Sequence, residues 1–294
     1  MATYNKPAMT IEAQITKLCQ RGLQITDKTH IMRDLEQKNY YRLRAYWLPF
    51  ERMNKFGEHV FLPETTWNKV MELYEFDREL RLLILSAIER IEISARTRWA
   101  HVLSLKYGAH AHENEKIFFD ATKHQEHLAR LRQEYLKSRE VFADHFRNNY
   151  PTLVTPPIWS VCELMSLGEL SRWYGMIKLR SDRNAIAACY GIDEMVLRSF
   201  LHHLTVVRNL CAHHSRLWNR KLALTLKIPK KQTRYFAGGK VDKIYPTVVM
   251  LWLLLQTVEP KCNWLQQLKR LFVKYPGVNS NKMGFPSEWE ALLQ

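Results

Sequence analysis

Residues 67–107 read WNKVMELYEFDRELRLLILSAIERIEISARTRWAHVLSLKY, a stretch with no glycine and no proline. Leu73, Leu80, Leu83, Ile84, Ala87, Ile91, Trp99 and Val102 recur in it at combinations of three- and four-residue steps. That is the helix period, not strand alternation. A single straight helix of this length would run about 60 Å at 1.5 Å per residue, so a kink or a break is the alternative to one rod. Gly108 is placed to end it, and Glu92 and Arg96 form an i,i+4 ion pair along it.

The same signals extend outward. Thr10 caps a helix over Ile11 to Arg21 that Gly22 closes, and a second helix covers Lys28 to Asn39. Residues 40–66 are mixed, aromatic-rich up to Phe50 and turn-like around Gly57 and Pro63, where a small hairpin is expected. After a polar linker at 109–120, a helix is predicted from Thr122 to Asn148, and Pro151, Pro156 and Pro157 enforce a loop. Two shorter helices follow, separated near Ser166-Leu167-Gly168 and Ser181-Asp182. Asp193 caps a helix whose apolar positions include Val196, Leu197, Phe200, Leu201, Leu204 and Val207. The expected fold is mainly all-α, with an N-terminal helical lobe at 1–66 and a larger helical domain at 67–294.

The 294 residues carry 44 Lys+Arg against 29 Asp+Glu, a formal charge of +15, and 46% hydrophobic residues. The apolar content is ample for a packed core and excludes global disorder. The charge favours a polyanionic partner, nucleic acid before anionic membrane. From Arg216 to Lys274 there are thirteen Lys/Arg and two acids, Asp242 and Glu259. Lys227, Lys230, Lys231 and Arg234 lie in that stretch, which reads either as a solvated basic face or as a nucleic-acid surface. The five cysteines are odd in number and widely spaced, without CxxC, which speaks for a reducing compartment and against a zinc ribbon. The start, Met1 to Pro7, has no apolar run of the signal-peptide kind. The apolar run Val248 to Leu255 is too short to span a bilayer and reads as a buried helix. A cytoplasmic protein without membrane attachment is expected.

The chemistry concentrates in Arg208-Asn209-Leu210-Cys211-Ala212-His213-His214-Ser215-Arg216-Leu217-Trp218-Asn219-Arg220. Arginine binds a phosphate through paired hydrogen bonds, and histidine is the side chain whose ordinary pKa lies near neutrality. Together they suggest phosphodiester chemistry without a metal or other cofactor. The spacing alone says little, because Arg-x4-His also occurs at Arg96 to His101 and Arg198 to His203. What separates the third pair is Asn209 directly after the arginine and the tail that follows the histidine. Five positions on a straight helix rotate by about 140°, so Arg208 and His213 would point apart. Convergence requires a helix end within the motif, or a second copy of the chain across a two-fold axis. The bland alternative is that Arg208 and Asn209 cap a helix C-terminus while His213 packs in the core.

Arg208-Asn209-x3-His213 followed by Arg216-Leu217-Trp218-Asn219 resembles the signature of the Abi-like (AbiD/AbiF-type) abortive-infection proteins, a branch of the HEPN superfamily. Further segments carry the same resemblance: Tyr40-Tyr41-Arg42-Leu43-x-Ala45-Tyr46-Trp47-x-Pro49-Phe50, Phe76-Asp77-Arg78-x-Leu80-Arg81, Trp159-x3-Glu163-x2-Ser166-x-Gly168 and Gly284-Phe285-Pro286-x2-Trp289. The resemblance implies a HEPN helical bundle, dimerisation with the motif at the dimer cleft, and metal-independent RNA cleavage in phage defence or toxin–antitoxin systems. It also implies a cognate small noncoding RNA as a restraining partner.

In that chemistry the neighbouring 2′-hydroxyl attacks the phosphate and leaves a 2′,3′-cyclic phosphate. His213 serves as general base or acid, Arg208 offsets the charge growing on the phosphorane oxygens, and Asn209 orients either His213 or the phosphate. RNA contacts are expected from Arg42, Arg44, His214, Arg216, Arg220, Lys227, Lys230, Lys231 and Arg234. Tyr46 and Trp47 are expected to pack instead. Glu89 and Glu92 either reach the motif arginine or form ordinary surface ion pairs. His202 and His213 share a helix face but lie about 16 Å apart along the axis, too far for one metal site. His110, His112 and His145 are expected at the surface. Three function classes fit: a ribonuclease toxin, a non-cleaving RNA-binding protein in a stable ribonucleoprotein, and a protein-interaction sensor of infection.

Overall fold

The computed structural model describes residues 7–294; the reading of Met1 to Pro7 as lacking a signal peptide falls largely on residues outside this range. The fold is mainly α, with one two-stranded antiparallel sheet. The helices are α1 (Ile11–Gln20), α2 (Lys28–Gln37), α3 (Tyr40–Trp47), α4 (Trp67–Tyr107), α5 (Ala121–Lys137), α6 (Val141–Asn149), α7 (Ile158–Val161), α8 (Leu167–Met176), α9 (Arg180–Ala188), α10 (Glu194–Ala212), α11 (Tyr245–Val258), α12 (Trp264–Lys274) and α13 (Trp289–Leu292). Strands β1 (Glu51–Met53) and β2 (His59–Phe61) pair with Arg52 opposite Val60.

The chain divides into two compact units. One is built on the chain up to Leu80 together with Arg270–Val278, the other on Arg81–Lys269 and Asn279–Gln294. In the first, Thr10 caps α1 and Gly22 leaves it with φ +94°, a conformation that favours glycine. Tyr46 and Trp47 are buried, and the Tyr46 hydroxyl donates to Asp77 Oδ2 at 2.6 Å. The Trp67 indole donates to Asp34 at 2.9 Å. The aromatic-rich start of the stretch expected as mixed forms α3, with the Asn39 side chain accepting from the Tyr41 backbone N–H, and the small hairpin expected after it is β1–β2.

In the second unit, α10 packs closely on α8: a Cβ at Gly168 would come within 3.2 Å of Thr205. Ser166 and Glu169 form a full capping box at the start of α8. The Trp264 indole donates to the Leu83 carbonyl at 2.8 Å, and Trp99 packs on Trp173. The apolar run expected as a buried helix lies within α11, where Val248, Val249, Met250, Leu251, Leu254 and Leu255 are all buried. Among the described residues no helix is long and apolar enough to cross a membrane.

Two local expectations need correction. The helix predicted over Thr122 to Asn148 is broken at Ser138–Glu140 into α5 and α6. Arg147 folds back there and donates to the carbonyls of Tyr135 at 2.5 Å and Ser138 at 2.6 Å, so the end of α5 is satisfied by a side chain from the next helix. The linker at 109–120 forms two 3-10 turns with Ala111, His112, Ile117 and Phe118 buried. His112, expected at the surface, is 0% exposed. The Thr155 hydroxyl donates to Glu113 and lies 2.6 Å from His112 Nε2, so His112 donates to Thr155 through Nε2. Burial pushes the His112 pKa down to about 3. His203 is also buried and lowered, chiefly by desolvation, while its ring bonds the Thr247 hydroxyl and the Leu224 carbonyl at 2.8 Å each.

Both rings are held neutral in the fold but take protons freely in the unfolded chain, so the unfolded state binds more protons below the ordinary histidine pKa. The stability they contribute is full above about pH 6.5 and falls as the pH drops below it. Denaturant titrations at pH 7 and pH 5 will show a loss of about 2 kcal/mol from His112, with His203 adding in the same direction. In His112→Gln the share of about 2 kcal/mol will disappear from the pH-dependent loss; an unchanged loss would remove His112 from this account.

Candidate functional site

Helix α10 ends inside the motif. Asp193 caps its start, and its last residue is Ala212. The Ser215 N–H bonds the Leu210 carbonyl at 2.8 Å, and the His214 N–H bonds the Cys211 carbonyl at 3.0 Å. This is a Schellman closure with His214 in the left-handed residue's place, at φ +55°. His213 is the C-cap, and its N–H bonds the Asn209 carbonyl at 2.9 Å. His213 and His214 are both exposed, which overturns the alternative of a core-packed His213.

The helix end falls at His213 itself, whose N–H still makes the helical bond to Asn209, so Arg208 and His213 keep their helical spacing and the end alone does not bring them together. Arg208 and Asn209 are exposed on the last turns of α10, and the Arg208 guanidinium lies 3.5 Å from Asn209 Oδ1. Arg208 lines a cavity of about 510 Å³ with Glu89, Glu92 and Arg96 of α4, along with Leu82 and Ile93; His213 is not among its lining residues. Glu92 is raised from the ordinary carboxylate pKa chiefly by burial, a shift that the nearby Arg96 and Arg208 charges oppose. Arg96 is held in place: it pairs with Glu92, donates to the Met165 carbonyl at 2.7 Å and lies 3.8 Å from Glu163. Glu92 is thus the ion-pair partner of Arg96 expected from the sequence, and it also borders the motif arginine.

The three Arg-x4-His pairs now separate. Arg96 is locked as above. In the second pair, Arg198 packs over Gly175 at 3.4 Å from a Cβ placed there, and His203 is a core residue. Only Arg208 and His213 leave both side chains at the surface.

Beyond His214 the chain turns back into the core. Leu217 and Trp218 are buried, and Asn219 takes φ +52°. Lys243 Nζ donates to the Asn219 carbonyl at 3.1 Å and to Asn219 Oδ1 at 2.9 Å. Lys243 is itself buried, and desolvation lowers its pKa. Gly284, at φ +86°, lies so close to Lys243 that an added Cβ would be 2.6 Å from the lysine Cβ. The Lys240 N–H bonds the Gly284 carbonyl at 3.1 Å, and Phe285 packs on Tyr245. Lys243 was not among the residues singled out from the sequence, and no motif spacing marks it.

The remaining expected RNA contacts are spread out. Lys227, Lys230, Lys231 and Arg234 are exposed on or beside the 3-10 helix Lys230–Phe236, with Arg234 stacked on Tyr235. Arg216 and Arg220 are half-buried, and the Arg220 guanidinium lies 3.4 Å from the Arg216 carbonyl. Arg42 and Arg44 belong to α3 in the other unit, where Arg42 lies over the Tyr74 ring. His110, His112 and Glu113 bring three ligand-type atoms within 4.8 Å of one another. Nε2 of His112 is held by Thr155, while the Nδ1 atoms of His110 and His112 are buried without a hydrogen-bond partner.

Residues 33–219 match the family described as Abi-like protein. The chain belongs to the Abi-like protein family. The match points to an abortive-infection role, and it ends at Asn219, the residue that Lys243 holds. Neither curated proteins nor solved structures give a match.

Gly284→Ala in this Abi-like protein forces a left-handed backbone on alanine and a clash with Lys243, a loss of about 2–4 kcal/mol. Gly277→Ala, where an added Cβ meets nothing within 4 Å, will stay near wild type. Urea unfolding of the two variants checks this, and equal midpoints would show that the Gly284–Lys243 approach is dispensable.

Proposed function

We propose that this Abi-like protein is a metal-independent endoribonuclease of the HEPN type, acting in abortive infection through Arg208, Asn209 and His213. The observation that carries the reading is the exposure of both members of this pair at a helix end, whereas each of the other two Arg-x4-His pairs has one member built into the fold, Arg96 in the first and His203 in the second. His213 takes the 2′-hydroxyl proton, O2′ attacks the phosphorus, and the P–O5′ bond breaks as the 5′-oxygen takes a proton from solvent, giving a 2′,3′-cyclic phosphate. Arg208 stabilises the charge that develops on the non-bridging oxygens. Asn209 sits beside Arg208 and orients it or the phosphate.

The active form in this reading is a homodimer. Arg208 opens into the α4-lined cavity while His213 does not line it, so a second chain has a place in completing the cleft. Leu82 and Ile93, 53% and 49% exposed beside that cavity, offer the apolar surface such a partner covers. The exposed cations from Lys227 to Arg234 suit the RNA backbone, and a cognate small noncoding RNA is the proposed restraining partner.

The test is cleavage of a labelled RNA in the presence of a chelator. Wild type will cut and leave cyclic-phosphate ends. His213→Ala and Arg208→Ala will lose roughly a hundredfold or more in rate, with unfolding midpoints unchanged because both side chains are exposed. Full activity in His213→Ala, or cleavage that the chelator abolishes, would overturn the mechanism. Binding without cleavage in wild type would move the assignment to a non-cleaving ribonucleoprotein.

A further inference from the structure

A second cleft, of about 1000 Å³, lies within the N-terminal unit, at the upper end of the size range of small-molecule sites. Its lining includes Lys17, Arg21, Tyr40, Tyr41, Arg44 and Glu58. The three cations have different standing. Arg21 is spent on the fold, pairing with Glu51 and donating to the His59 carbonyl at 2.8 Å. Lys17 and Arg44 have no carboxylate partner among the described residues, although they stand within one cleft.

The aromatic rings are equally divided. Tyr40 is half-buried and set edge-on to Trp47 at 4.8 Å, with the Arg21 charge close to its hydroxyl. Tyr41 is 65% exposed, an unusual position for an aromatic side chain that borders a cleft. One ring is therefore fixed as a wall, and the other, set at a steep angle to it with centroids 6.0 Å apart, stays largely open to solvent. The start of α3, where Asn39 caps the helix, borders the same cleft and adds partial positive charge.

We infer that this cleft binds a short single-stranded RNA segment, with Lys17 and Arg44 on its phosphates and Tyr41 stacked on a base; this rests on the reading that the chain acts on RNA. Free cations track a phosphodiester backbone, and an exposed aromatic face accepts any base, the combination that single-strand binders use. An acidic peptide would satisfy the cations but leave the exposed ring without a planar partner. The cleft is a grip on the RNA away from the scissile bond and supplies no group to the reaction.

The experiment uses the full-length chain carrying His213→Ala, so that RNA is not consumed, and a fluorescein-labelled oligouridylate of about twelve nucleotides, within the span of single-strand sites. Lys17→Ala with Arg44→Ala will weaken binding roughly tenfold or more and reduce the slope of log K against log salt by about 1.4, two phosphate contacts' worth. Tyr41→Ala will weaken it about fivefold or more at unchanged slope. Lys55→Ala, an exposed cation of the same unit outside the cleft, will change little. Unchanged affinity in the cleft variants would overturn the inference, as would absence of binding to the parent chain. A polyglutamate peptide that binds as tightly as the RNA would assign the cleft to an acidic protein and overturn it too. Failure of the cleavage reading shows separately, as absence of product with wild type, and leaves this binding result standing on its own.

Discussion

The way α10 ends governs the arrangement of the site. Had the helix continued past His213, Leu217 and Trp218 could not reach the core. The Schellman closure reverses the chain at His214 instead, with two backbone bonds satisfying the last carbonyls. The reversal is held from the far side. Lys243 is a desolvated ammonium whose two bonds to Asn219 replace the water it has lost. Gly284 leaves room for that lysine because it lacks a Cβ. The Arg216-Leu217-Trp218-Asn219 tail and the Gly284-Phe285-Pro286 segment, far apart in the chain, are thus two sides of one support for the residues that follow His213.

The long helix and α10 were legible in the sequence because their signals are local. Apolar period, absence of Gly and Pro, and a terminal Asp or Gly are all read within a few residues. Helix α3 was less visible, since Tyr40 to Trp47 is dense in aromatics that favour strands as much as helices, and its Asn39 cap was read as the end of the preceding helix. The break at Ser138–Glu140 was hidden for a different reason. What stabilises it is the return of Arg147, a tertiary event that periodicity does not record.

For the site, the sequence singled out Arg208, Asn209 and His213 but left their surroundings open. It offered three equivalent spacings and no way to weigh burial. His203 and Arg96 carry the same pattern as the motif, yet one is a core residue bonded to Thr247 and the other a junction between α4 and the start of α8. Lys243 was illegible altogether, because its partner Asn219 is 24 positions away and nothing in its own neighbourhood distinguishes it from the other cations of a basic stretch.

The locking of Arg96 explains why Arg208 is left uncommitted. Two arginines and two glutamates border one cavity, and a symmetric pairing would neutralise all four. Glu92 instead goes to Arg96, which is further held by the Met165 carbonyl, so the pair is fixed both along α4 and from the loop before α8. Arg208 then feels the Glu92 charge without forming an ion pair among the described residues. A guanidinium in that position keeps its fork of donors open while a neighbouring acid restrains where it sits. The basic segment completes the arrangement, since the Lys227 N–H bonds the Ser199 hydroxyl on the same helix as Arg208 at 3.0 Å. Ser199 and Arg208 are about 14 Å apart along the helix axis, so α10 carries both the proposed reacting residues and the anchor of the cations proposed to draw RNA towards them.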